Sequence, residues 1–162
     1  MDQQQLLIKI AVDNWDANLS RTRALFNNLS DEELQHEVSP GRNTGTYLLG
    51  HLTAVHDRML PLLGLGAQKF LHLDDIFITS PDKSGKTKPP IAELREHWED
   101  VNNALTTAFN SLQPAEWLHK HTSVSEEDFA KEPHRNRLNV LTTRTTHLAS
   151  HYGQLIFLKK VA

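Results

Sequence analysis

From Gln4 to about Asn28 the chain contains no proline or glycine, and Leu7, Ile8, Val12, Trp15, Leu19, Ala24 and Phe26 recur at roughly helical intervals. This spacing predicts a long first helix with one apolar stripe. Ser30-Asp31-Glu32-Glu33 has the form of a capping box and predicts a short helix ending before Pro40, followed by a turn through SPGRNTG. A second long helix is expected from Thr44, as N-cap, to the GLG at 64–66, with Pro61 in its last turn or kinking it there. A third begins near Pro90, carries Leu94, Trp98, Val101, Leu105 and Phe109 at three-to-four spacing, and stops before Pro114. A fourth runs from about Leu138 to Lys160, with Leu141, Leu148, Tyr152, Leu155 and Ile156 as its stripe and Lys159 and Lys160 suiting its C-terminal dipole.

Between these segments lie two long connections, residues 64–90 and 115–136; the first includes an apolar patch, LHLDDIFI, readable as a short helix or an extended piece. Four amphipathic segments without a strand pattern predict an all-α protein, a four-helix bundle with long second and third connections, forming a single domain over residues 1–162.

Composition narrows the functions more than it names one. With 38% hydrophobic and 23% charged residues this reads as an ordinary soluble globular chain, and a net charge of −3 provides no electrostatic footprint for nucleic acid or an anionic membrane. The start, MDQQQLLIKIAVDNWD, resembles neither a signal peptide nor a spanning helix, so a cytoplasmic location is expected. Cysteine is absent, which removes disulfides, thiolate ligands and a protein thiol nucleophile together. Sulfur chemistry, if performed, requires a thiol brought in by a small molecule.

Candidate chemistry centres on histidine. His147 and His151 stand four residues apart, so on a helix both rings leave the same face on successive turns, the spacing by which a helix offers two ligands to one ion. With ten histidines in the chain, such a pair arises by chance with roughly even odds. It gains meaning from His51, which falls inside the apolar face shared by Tyr47, Leu48, Val55 and Leu62 and therefore points inward. One imidazole from the second helix and two from the fourth would give three neutral nitrogen ligands and leave a position open, the mark of a catalytic metal site. Zinc fits that set, and nickel, manganese and ferrous iron also accept imidazole. His56 and Asp57 project away from the stripe and are expected at the surface or behind the ligands. His119, His121 and His134 fall in the second connection and are expected to be surface residues.

The segments GHLTAVHDRMLPLL and HLASHYGQLIFL, about a hundred residues apart, resemble the DinB superfamily, also called DinB-like or YfiT-like putative metalloenzymes. The resemblance rests on His51-Leu52 in the second helix and on His147-Leu-Ala-Ser-His151-Tyr-Gly153-Gln154 in the last, in the same order and separation. It implies a four-helix bundle with a divalent metal held by His51, His147 and His151, often in a homodimer. It further implies a low-molecular-weight thiol, such as bacillithiol or mycothiol, as cosubstrate for S-transfer to small electrophiles or for isomerisation. Metal-dependent hydrolysis, or a non-enzymatic stress-associated binding or dimerisation bundle, are the alternatives on the same residues.

Three further residues are candidates for the substrate pocket. Arg144, one turn before His147, either binds an anionic thiol or substrate or is solvated. Tyr47, one turn before His51, either donates a proton or packs. Gln154 continues the His147/His151 stripe and either orients a ligand or bonds a neighbouring helix.

Overall fold

A computed structural model describes residues 2–159. Its helices are α1 (Gln3–Asn28), α2 (Asp31–Gln35), α3 (Gly45–Asp57), α4 (Met59–Leu62), α5 (Leu73–Phe77), α6 (Ile91–Ser111), α7 (Glu126–Lys131) and α8 (Arg137–Leu155), with 3-10 turns at Pro114–Leu118 and Ile156–Leu158. Among the described residues only two isolated bridges, Glu37 with Thr44 and Lys120 with Asn136, have β pairing, so the all-α expectation holds. None of the helices is long and apolar enough to cross a membrane.

The helix ends follow the side chains that satisfy them. Ser30 and Glu33 close the expected capping box on α2, and the Thr44 hydroxyl accepts from the Tyr47 N–H to start α3. The expected second helix breaks at Arg58 into α3 and the single turn α4, which contains Pro61. The last helix ends at Leu155 rather than near Lys160, so Lys159 lies past the closing 3-10 turn, and Lys160 is outside the described residues.

Long helix α1 packs along α8, while α3 packs on α6 and also touches α8 and α5. The stripes meet in one apolar cluster in which Trp15, Leu19, Phe26, Trp98, Leu105 and Phe109 sit beside Leu48, Leu52, Leu141 and Leu148. In α1 the buried face runs through Ile8, Trp15, Leu19 and Phe26, and the expected stripe is corrected at Leu7 and Ala24, which are exposed. Leu7 lies about 100° from Ile8 around the helix, so the two cannot share one face.

Helix α3 differs from the others in kind: from Gly45 to Asp57 every residue except His51 is buried. A helix apolar all round belongs at the centre of a fold. This corrects the expectation for His56 and Asp57, both fully buried. Directions away from the His51 stripe lead into α6 and the 64–90 connection, not into water. His56 bonds Asn102 Oδ1 on α6 through Nδ1 at 2.7 Å. Asp57 accepts the backbone N–H groups of Lys69 (2.9 Å) and Phe70 (2.7 Å), which satisfies a carboxylate that would otherwise be expensive to bury.

That connection is therefore strapped along α3 rather than loose. Asp57 holds its start, the Tyr47 hydroxyl donates to Ser80 O at 2.7 Å, and Asp82 accepts the Thr44 N–H at 2.6 Å while pairing with Lys88. The patch LHLDDIFI becomes α5, whose Phe77 ring lies directly on Gly50; a Cβ there would fall well inside contact distance of that ring.

Candidate metal centre

Close approach at Gly50 places a backbone group. Phe77 O stands 2.8 Å from His51 Nδ1, and since a carbonyl only accepts, Nδ1 carries the proton and Nε2 is a bare lone pair. The Tyr47 ring stacks on His51 from the preceding turn, 9° from parallel at 6.1 Å. On α8 the same logic repeats: Gln154 Oε1 accepts from His151 Nδ1 at 3.0 Å, leaving the Nε2 lone pair of His151 free to face inward.

Both lone pairs point at one atom. His147 Nε2 is 3.2 Å from His51 Nε2 and 3.1 Å from His151 Nε2, and ligand atoms of the three residues lie within 4.8 Å of one another. Nitrogens about 2.1 Å from a shared ion at tetrahedral to right angles stand roughly 3.0–3.4 Å apart, so the spacing is that of a coordination face.

Protons cannot complete this arrangement. A proton on His147 Nε2 serves only one of the two lone pairs facing it. Placed instead on His147 Nδ1, which is buried without a partner, it leaves three lone pairs confronting one another. Nor does protonation relieve the repulsion near neutral pH. Burial first, then His151, His51 and Arg144, lower His147 to about 4. Burial likewise lowers His51 and His151. Three neutral imidazoles with converging lone pairs are a donor set for a divalent cation.

A cavity of about 530 Å³ opens against His51 and His147, walled by Val55, Leu62 and Ile78, with Arg58, Gln68 and Arg144 around it. Among the described residues its lining contains no carboxylate. A second cavity, about 500 Å³, reaches His151 and Gln154 beside Arg42 and Phe157. The three imidazoles therefore stand between two openings, which explains why His51 is the one residue of α3 left partly exposed.

Of the pocket candidates, Arg144 lines the first cavity and Gln154 the second. Tyr47 lines neither of them, its hydroxyl being used by Ser80 O. His119 and His134 are exposed and His121 half-buried, outside either ligand group. Sequence reasoning missed Phe77, whose part is played by a backbone carbonyl and so leaves no side-chain signature. It also missed a second group, His72, Glu93 and His97, whose ligand atoms come within 4.8 Å of one another. Glu93 and His97 are i, i+4 on α6, a signal available in the sequence, whereas His72 reaches them only through the fold.

An all-α chain whose long helices gather three imidazoles beside a cavity is a helical protein with a candidate metal centre. The DinB superfamily profile matches residues 14–155, a span containing all three histidines, and the chain belongs to that superfamily. No curated protein matches it.

Proposed function

We propose that this chain is a divalent-metal-dependent enzyme, an S-transferase that joins a low-molecular-weight thiol to a small electrophile. The observation that carries this reading is the convergence of the Nε2 atoms of His51 and His151 on His147 Nε2, at 3.2 and 3.1 Å, at the wall of a cavity. Zinc or nickel suits the donor set best, with manganese or iron as further occupants. Bound there with a position open, such an ion acts as a Lewis acid that lowers the pKa of a thiol or water reaching it.

The chain's own residues do the remainder. Phe77 O and Gln154 Oε1 fix the tautomers and ring directions of His51 and His151, so the ligands are set before anything binds. Val55, Leu62 and Ile78 keep one side of the cavity apolar and limit water at the reacting end.

Thiol transfer is favoured over hydrolysis by what surrounds the site. Hydrolysis of the metalloprotease type uses a carboxylate as general base, and the cavity against His51 and His147 has none. A thiol is acidic enough to ionise without that help, and a chain free of cysteine must take it from solution. A homodimer and a cytoplasmic location belong to the same proposal; exposed Leu6, Leu7 and Ile10 on α1 supply apolar surface that a second copy would cover.

Elemental analysis of the purified protein tests the centre. Close to one divalent ion per chain is expected, lost in His147→Ala and retained in His97→Ala. Metal that persists in His147→Ala but disappears in His97→Ala would move the centre to the other group and overturn the reading. A thiol-conjugation screen against electrophiles then separates the activities: turnover that requires added thiol supports transfer, turnover without it supports hydrolysis, and no turnover under either condition supports a binding bundle.

A further inference from the structure

Arg144 sits one turn before His147 on α8, so its side chain emerges beside the imidazoles and lines the same cavity. Its guanidinium is half-buried, and among the described residues it has no hydrogen bond, ion pair or carboxylate in range. Three other arginines have carboxylate partners: Arg23 meets Glu99 at 2.9 Å, Arg95 meets Asp31 at 3.1 Å, and Arg135 meets Glu132 at 3.1 Å. The second cation of the cavity, Arg58, has one acidic neighbour, Asp74, at 3.5 Å. Burial, and after it the charge of Arg58, push the Arg144 guanidinium below its ordinary range, and no acidic group offsets them. An uncompensated, partly desolvated guanidinium with a second one nearby is costly unless a ligand supplies the missing negative charge.

The rest of the cavity sets the size and body of that ligand. About 530 Å³ accommodates a small molecule, and its walls combine the apolar faces of Val55, Leu62 and Ile78 with the amide of Gln68. We propose that this cavity is an anion-binding subsite in which Arg144, assisted by Arg58, holds the carboxylate of a small apolar-bodied ligand whose other end faces the three imidazoles. Resting on the metal-and-thiol reading above, it assigns the class of cosubstrate: a thiol carrying a carboxylate, not a neutral one. Guanidinium and carboxylate match in planar, two-point geometry, which a lysine in the same place would not provide.

The test compares two thiols of equal length, 3-mercaptopropionate and 3-mercaptopropan-1-ol, titrated into the metal-loaded protein by calorimetry. Butanoate is titrated separately into metal-free, 15N-labelled protein while the Arg144 Nε–H signal, assigned with Arg144→Lys, is followed. A charge-assisted hydrogen bond predicts roughly tenfold tighter binding of the carboxylated thiol, and loss of that preference in Arg144→Gln with metal content unchanged. Butanoate should shift the Arg144 signal, and butyramide should not. Equal affinity for the two thiols, or a preference that survives in the Arg58→Gln/Arg144→Gln double variant, overturns the subsite while leaving the metal centre standing. If neither thiol binds the metal-loaded protein but butanoate still moves Arg144, the anion subsite stands and the thiol reading falls. No response of Arg144 to butanoate in folded protein counts against the subsite whatever the metal content.

Discussion

Gln154 shows how one side chain sets what another can do. By accepting from His151 Nδ1 it keeps the Nε2 lone pair turned toward His147. Partners of this kind typically account for 10- to 100-fold in metal affinity. Gln154→Ala should therefore weaken metal binding by about that factor, read by competition with a chelator, and an unchanged affinity would deny Gln154 the orienting role. His56 offers a second residue-scale prediction. Burial, opposed in part by the Asn102 hydrogen bond, lowers it from 6.5 to about 3. Above pH 6.5 the residue is neutral folded or unfolded and contributes no pH dependence. As pH falls below that value the unfolded chain takes up the proton while the folded one refuses it until about 3, so stability is lost across this window. The slope is about 1.4 kcal/mol per pH unit for one such group. In His56→Gln, which keeps a donor for Asn102, urea unfolding between pH 6 and 4 should be less pH-dependent by about that amount.

At the scale of elements, the centre depends on how tightly α5 is pressed onto α3. Gly50→Ala drives a methyl into the Phe77 ring, which is fully buried and has nowhere to retreat. Overpacking of that kind costs roughly 1–3 kcal/mol. As Phe77 moves, its carbonyl leaves His51 Nδ1, so metal affinity should fall together with stability, measured by denaturant unfolding and by metal titration of the same variant. Gly153, in the HxGQ stretch of α8, makes the contrast: a Cβ there meets nothing within 4 Å. Gly153→Ala should be neutral or raise stability by about 0.5–1 kcal/mol through helix propensity. The sequence shows a glycine within two residues of a ligand histidine on each of these helices; only packing tells which one is indispensable.

For the molecule as a whole, the apolar cluster is built from stripes on α1, α3, α6 and α8 that do not include the three ligand histidines. A chelator should therefore leave the protein folded by circular dichroism while lowering its Tm. Ion at about 1,000 times its dissociation constant stabilises the folded state by about 4 kcal/mol, or roughly 10 °C for a chain of this length. The same addition should leave the Tm of His147→Ala unmoved. Unfolding on chelation would mean instead that the ion holds the fold together.

Periodicity and punctuation by themselves determined the all-α class, the long helices α1, α6 and α8 and the core of α3, the helix starts at Ser30 and Thr44, the inward direction of His51 and the shared face of His147 and His151. These are properties of the local chain: 3.6 residues per turn places side chains around an axis, and a capping hydroxyl acts within three residues. Tertiary structure decided what each direction faces. It made α3 central, so that His56 and Asp57 turn into neighbours instead of water, and among the described residues it left Arg144 unpaired beside a cavity. It also brought Phe77 O to a ring 26 residues earlier and His51 to a partner 96 residues later, through contacts whose energies arise only once separate helices pack and so leave no periodic trace in the chain.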